Sequence, residues 1–219
     1  MNQQEKQWHG KLGNEYVENN SAFFTNEELF ENKHKDETVY SVYQQMFGDL
    51  DRNYTILEVG CNVGHKLERL RWMGFKNLYG LDVNEEAIKV GRELYPEINF
   101  FQTSFDDYNT AEQFDIVMTN YAAIHVSPKN FEEFTDALCT LSRKYVFMME
   151  FDKERAPNSL FHEMIKWLGK NNICWKRPMD KIFDKERLDL SMYEIRHLKL
   201  PRVEDENFDG AYLWEKYTS

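Results

Sequence analysis

The sequence has 219 residues and a net charge of −11, from 38 acidic against 27 basic side chains. That length suits one domain with insertions, and the chain shows no Lys/Arg stripe of the kind that neutralises phosphates, which argues against DNA or RNA as partner. No apolar run approaches the roughly 18 residues of a membrane span, so no membrane is expected. The first residues (Met1-Asn2-Gln3-Gln4-Glu5-Lys6) carry no signal-peptide pattern. The three cysteines (Cys61, Cys139, Cys174) are odd in number and lack metal-ligand spacing. A reducing cytoplasm is the expected compartment, and no metal is expected.

The chain opens with a leader, Trp8-His9-Gly10-Lys11-Leu12-Gly13-Asn14-Glu15-Tyr16, that mixes aromatic, glycine and amide residues without a clean helical or strand period. A segment of this composition builds no core of its own and takes its order from docking. It reads either as a cover over a ligand, with Trp8 and Tyr16 as contacts, or as a packing arm. Residues 36–48 follow as an amphipathic helix: Val39, Val42, Tyr43, Met46 and Phe47 share one face, and Gly48 suits the C-terminus.

Thr55-Ile56-Leu57-Glu58-Val59 then reads as a buried strand running into Gly60-Cys61-Asn62-Val63-Gly64, with helical spacing resuming at Leu67, Leu70 and Met73. Glycine tolerates φ > 0 and lets a ligand approach the backbone. Asn62, between the glycines, is the non-glycine residue most able to adopt the left-handed conformation. Glu58, at the end of a buried strand, requires a polar partner or a polar ligand. Cys61 reads as a small turn residue rather than a reactive thiol. The dinucleotide fingerprint G-x-G-x-x-G is absent, which disfavours an NAD-dependent oxidoreductase.

A second strand, 77–82, ends in Asp82, about 20 residues beyond Gly60, where nucleotide-binding βαβ units place an acid that bonds ribose hydroxyls. Asn84 caps the next helix, 85–95, which stops at Pro96. A third strand covers 98–102 and leads into Thr103-Ser104-Phe105-Asp106-Asp107. A fourth covers 114–120 and leads into a loop, 121–128, that carries Tyr121 and His125. Phe131, Phe134, Leu138 and Leu141 mark a helix, and 144–150 is a fifth strand. Strands alternating with helices predict a parallel sheet with helices on both faces. The pattern loosens over 151–183, where a helix is expected at 158–169, and 191–200 and 208–217 read as two closing strands.

The turn Glu58-Val59-Gly60-Cys61-Asn62-Val63-Gly64 resembles motif I (E-x-G-x-x-x-G) of class I S-adenosylmethionine (SAM)-dependent methyltransferases. With the leader pattern Trp8-x-Gly10-x-x-Gly13-x-x-Tyr16-x-x-x-Asn20, the loop with Tyr121, Ile124, His125 and Pro128, and Glu150-Phe151, the chain resembles the pseudaminic-acid-biosynthesis-associated methylases. It departs from that pattern at Asn19, where an arginine is expected, and at Met179, in a region where a histidine is expected.

The resemblance implies an α/β, Rossmann-like, seven-stranded sheet, mostly parallel with one antiparallel edge strand. It implies a single domain: an N-terminal cap and helix (1–50), a SAM-binding core (51–150), an acceptor-side insertion (151–188) and closing strands (189–219). Trp175, Lys176, Arg177 and Asp180 are candidates to line the acceptor pocket. SAM is the implied cofactor, held at motif I by Glu58, Gly60, Cys61, Asn62 and Gly64, at the ribose by Asp82 and Val83, and at the adenine by Ser104 and Phe105. Trp8, Tyr16 and Asn120 complete the cofactor set. His125 is the candidate general base, oriented with the acceptor by Tyr121 or Asn120; Asp152 and His162 are weaker candidates. The implied acceptor is a hydroxyl or amine of a small molecule: a sugar, a nucleotide-activated sugar or another surface-glycan precursor. A tRNA or protein methyltransferase and a catalytically silent SAM-binding module remain open alternatives.

Overall fold

The structure is a computed structural model that describes residues 3–21, 37–108, 110–152, 163–164, 174–183, 192–201 and 208–216. Its main sheet has seven strands, mostly parallel, with antiparallel pairing confined to one edge. In chain order these are β1 (Thr55–Val59), β2 (Asn77–Asp82), β3 (Asn99–Gln102), β4 (Phe114–Asn120), β5 (Ser142–Asp152), β8 (Met192–Pro201) and β9 (Phe208–Lys216). The sheet order is β3-β2-β1-β4-β5-β9-β8. A two-stranded sheet pairs β6 (Glu163–Met164) with β7 (Trp175–Lys176). The chain divides into two compact units, residues 1–110 and 111–219.

In the first unit, β1 pairs with β2 and β2 with β3, all parallel. Parallel neighbours need a crossover, and the helices α4 (His65–Trp72) and α5 (Glu85–Leu94) supply the two. Ile56, Leu57, Leu67 and Leu70 are fully buried, as the apolar run and the helical spacing require. Helix α3 (Glu37–Phe47) buries Tyr43, Met46 and Phe47, and the Phe47 ring meets Phe75 edge-on at 6.4 Å. Arg52 closes this helix: its guanidinium donates to the Phe47, Leu50 and Gly48 carbonyl oxygens at 2.7–2.8 Å and lies 4.6 Å over the Phe75 ring. A cation at a helix C-terminus satisfies carbonyls that the helix itself leaves open.

The leader departs from the aperiodic reading. It forms two helices, α1 (Gln3–His9) and α2 (Lys11–Ser21). Their order is tertiary: Val17, 1% exposed, packs with Val63 and Ala87.

In the second unit, β4 and β5 are parallel, β9 runs antiparallel to β5, and β8 runs antiparallel to β9. Every residue of β4 is buried, and helix α6 (Phe131–Leu141) buries Phe131, Phe134 and Leu138. The fifth strand runs two residues further at each end than its apolar core suggests, because pairing with β9 continues through Asp152 to Phe208. Most of the helix expected at 158–169 lies outside the described residues, as does His162. The two described residues within it, Glu163 and Met164, form a strand instead, because they find a partner in Trp175 and Lys176. Among the described residues, no helix is long and apolar enough to cross a membrane.

Candidate active site

In the first unit, β1 delivers the chain into a turn with three positive φ angles in five residues: Gly60 (73°), Asn62 (50°) and Gly64 (86°). Gly64 is also forced by space, since a Cβ there would stand 2.6 Å from Cζ of Phe100. Every amide of the turn has a partner within the turn or on β2. Gly60 N and Cys61 N donate to the Leu81 carbonyl at 2.8 and 3.0 Å, and Gly64 N donates to the Cys61 carbonyl at 2.9 Å. Val63 N donates to Oδ1 of Asn62 at 2.8 Å, and Asn62 N donates to Oδ2 of Asp82 at 2.8 Å.

Asp82, at the carboxyl end of β2, thus holds the turn. Its Oδ1 accepts the Asn84 amide at 2.9 Å. Burial pushes its carboxyl above the usual carboxylate range, opposed by the Asn84, Asn62 and Val83 amides. The carboxylate still has acceptor capacity, because each oxygen carries two lone pairs. The Cys61 thiol is buried, donates to the Asn62 carbonyl at 3.4 Å and sits where a Cβ on Gly80 would be. Burial, with Asp82 and Glu58 nearby, raises its pKa well above the ordinary thiol value. It is a protonated packing group, as the small-turn-residue reading expects. Glu58 is 1% exposed beneath the turn.

Asn84 carries more than its cap. Its Oδ1 accepts the Ala87 amide at 2.8 Å, while Nδ2 donates to the Trp8 carbonyl at 2.8 Å and to Oδ1 of Asn14 at 2.9 Å. One side chain therefore starts α5 and fastens the leader, one residue from Val83 and two from Asp82. Trp8 and Tyr16 meet edge-on at 5.6 Å. A Cβ on Gly13 would stand 1.7 Å from the Trp8 carbonyl oxygen and 2.5 Å from Nδ2 of Asn84, which accounts for that glycine. After β3, Ser104 is engaged locally: its hydroxyl donates to Asp107 at 3.0 Å and accepts the Asp107 amide at 3.1 Å. Phe105 is 9% exposed. Val83 offers its carbonyl to Gln102 at 3.2 Å.

In the second unit, β4 ends at the buried Asn120. Tyr121 follows at φ 54°, a sparsely populated conformation for a bulky residue. Its amide donates to the Met149 carbonyl at 2.9 Å and its hydroxyl to Oδ2 of Asp209 at 2.8 Å. A 3₁₀ turn, Ala123–His125, comes next and brings His125 to a half-buried position. Glu150 lies beneath it, 1% exposed, and accepts the Ala123 and Ile124 amides at 3.1 and 3.2 Å and the Thr119 hydroxyl at 3.3 Å. Burial pushes its carboxyl up to about 8, against those donors and the charge of Arg177. Arg177, 2% exposed, donates to the Ala123 carbonyl at 2.8 Å and to the Val126 carbonyl. Asp152 accepts the Met179 amide at 2.9 Å and the Tyr212 hydroxyl at 2.7 Å.

Sequence reasoning placed Asn84 only as a cap, missed the support Glu150 gives the loop, and offered Arg177 as a pocket-lining residue rather than a buried tether. The signal for Glu150 was an acid closing an apolar strand, the same oddity that singled out Glu58.

Residues 56–144 match the profile of a family described as "Methyltransferase domain". Over 79 residues the chain is 27% identical to a protein named Methyltransferase adrK from Penicillium roqueforti, a stretch covering 35% of this chain and 28% of that protein. Among solved structures, the chain is similar to magnesium protoporphyrin IX methyltransferase (ChlM) from Synechocystis PCC 6803 with bound SAM. There the TM-score is 0.68 at 12% identity over 99% of both chains. It is also similar to 1,6-didemethyltoxoflavin-N1-methyltransferase from Burkholderia thailandensis, crystallised with 1,6-didemethyltoxoflavin and S-adenosylhomocysteine. In that case the TM-score is 0.65 at 11% identity, covering 93% of this chain and 88% of the other. The architecture is that of the class I SAM-dependent methyltransferases, and the matched segment holds the glycine turn, Asp82 and the loop after β4.

Proposed function

We propose that the protein is a SAM-dependent methyltransferase acting on a hydroxyl or amine of a small molecule, and that the acceptor is a sugar, nucleotide-activated sugar or other surface-glycan precursor. The cofactor reading rests above all on the hydrogen bonds of the glycine turn. All five amides from Gly60 to Gly64 are engaged. A pyrophosphate cradle needs such amides free to donate. This turn has none to offer, yet its glycines admit close approach and Asp82 retains acceptor capacity for ribose hydroxyls. The residues present fit an adenosyl group without phosphates.

Asp82 and Val83 would hold the ribose, the Gly60–Gly64 backbone the methionine portion, and Ser104 and Phe105 the adenine, with Trp8, Tyr16 and Asn120 completing the set. SAM supplies a methyl group activated on a sulfonium. The chain contributes alignment, which can account for much of a transfer rate. His125 takes the proton of the acceptor hydroxyl, a task that suits an imidazole near neutral pH, and Tyr121 orients the acceptor. The surface-glycan acceptor is supported by the resemblance in the leader and in the 121–128 loop. The small-molecule class is supported by the toxoflavin and porphyrin methyltransferases that share the fold. A cytoplasmic setting is supported by the three cysteines being buried thiols.

Calorimetric titration with S-adenosylhomocysteine and with NAD tests the cofactor reading. Saturable binding of the first and none of the second is expected; binding of NAD alone would overturn it.

A further inference from the structure

We propose that Glu150 and Arg177 are positioning residues that hold the His125-bearing turn from opposite sides, Glu150 by its amides and Arg177 by its carbonyls. Ala123 is gripped at both of its backbone polar groups: its N–H donates to Oε1 of Glu150 at 3.1 Å and its carbonyl accepts from Nη1 of Arg177 at 2.8 Å. The grip extends forward on each side, through Ile124 N to Oε2 of Glu150 at 3.2 Å and through the Val126 carbonyl to Nη2 of Arg177. Three of the four residues from Ala123 to Val126 are thus tied to two buried polar side chains, one that accepts from amides and one that donates to carbonyls.

Both grips are themselves anchored. Glu150 belongs to β5, with Thr119 of β4 donating to it. Arg177 arrives on a segment bridged to Asp152 and fastened there again by the Met179 amide. Its guanidinium lies 3.9 Å from the centroid of Phe131, the first residue of the helix after the loop.

Stability alone does not call for this arrangement. Burying a guanidinium and a carboxyl carries a desolvation penalty, and an apolar replacement of similar volume is often as stable or more so. The two groups instead fall under the one loop that leaves the carboxyl end of β4, the end at which open α/β sheets take their ligands. There they fix backbone geometry more tightly than apolar packing, because each bond specifies a direction as well as a distance. The functional half of this proposal rests on the methyltransferase reading and on the 121–128 loop serving the acceptor.

The test uses Glu150→Gln, Arg177→Lys and His125→Ala in the full chain. Above about pH 8, where the carboxyl is ionised, Gln must turn its NH₂ toward one of the donors that the carboxylate accepts, and Lys has no fork to span two carbonyls. Three quantities are read: hydrogen exchange over residues 121–128, S-adenosylhomocysteine affinity, and kcat against KM normalised to folded protein. The expected result is exchange about tenfold or more faster at Ala123 and Ile124 in both clamp variants. Cofactor affinity should stay unchanged, and kcat should fall by up to about a hundredfold, as misplacement of a reacting group by an ångström can do.

Unchanged exchange in both clamp variants overturns the clamp. Faster exchange with full kcat overturns its positioning role. A slow Glu150→Gln beside a fully active His125→Ala supports the clamp and removes His125 as the base. If the wild type transfers no methyl group to any acceptor, the methyltransferase reading fails, and exchange alone decides whether the clamp exists.

Discussion

Nδ2 of Asn84 donates to the carbonyl oxygen of Trp8 at 2.8 Å, so the residue that starts α5 also fastens the leader. The same side chain caps Ala87, and its backbone amide rests on Asp82. Leader, helix cap and the acid that anchors the glycine turn therefore share one residue. Asn84→Asp separates the roles, since aspartate caps a helix as well as asparagine but cannot donate. The expected outcome is an intact α5, a leader cleaved readily in limited proteolysis, and a stability loss of about 2 kcal/mol from two lost bonds. A variant with wild-type melting temperature and a protected leader would show that the tether contributes nothing.

Gly64 answers two constraints at once, φ of 86° and the Phe100 ring 2.6 Å from where a Cβ would stand. Gly64→Ala is expected to destabilise by about 2 kcal/mol or more, through left-handed strain plus the clash. Adding Phe100→Leu should recover only the steric part. Full recovery in chemical denaturation would mean that the backbone strain is negligible.

Asp82→Ala removes the acceptor for both Asn62 N and Asn84 N. S-adenosylhomocysteine binding measured by calorimetry is expected to weaken by a factor of about 100 or more, since the turn and the ribose lose their anchor together. Affinity within about twofold of wild type would remove Asp82 from the cofactor site.

The buried carboxyl of Glu150, raised to about 8, makes a signed prediction about pH. In the unfolded chain this group ionises near the ordinary glutamate value, about 4.3. Between that pH and about 8 the folded state therefore binds the extra proton, so its contribution to stability is full at low pH and falls as pH rises through this window. Glu150→Gln cannot titrate. The melting temperature of the wild type relative to Glu150→Gln should decline from about pH 5 to pH 8 and level off above. A relative melting temperature that rises with pH over the same window would mean that the amides and Arg177 hold the carboxyl ionised.

The central strands were legible because their signals are local. Thr55–Val59, Asn77–Asp82 and Phe114–Asn120 are short apolar or β-branched runs closed by glycine or polar residues, and they form over the expected residues. The asparagine at 62 was legible for the same reason: a left-handed position between glycines leaves few choices. The leader helices were not, because their order comes from Asn84 and from Val17 against Val63 and Ala87, contacts between residues far apart in the sequence. Glu150 and Arg177 share this property. Glu150 stands out as an acid closing an apolar strand and Arg177 does not stand out from its charged neighbours, but the fact that they grip one turn from two sides exists only after the chain has folded.

The most direct test of the central claim is mass spectrometry of the purified protein incubated with SAM and a panel of nucleotide-activated surface-glycan precursors. The account predicts one acceptor gaining the mass of a single methylene, with equimolar release of S-adenosylhomocysteine and loss of both products in Asp82→Ala. Tight SAM binding with no mass gain on any hydroxyl- or amine-bearing acceptor would contradict it and leave a cofactor-binding module in its place.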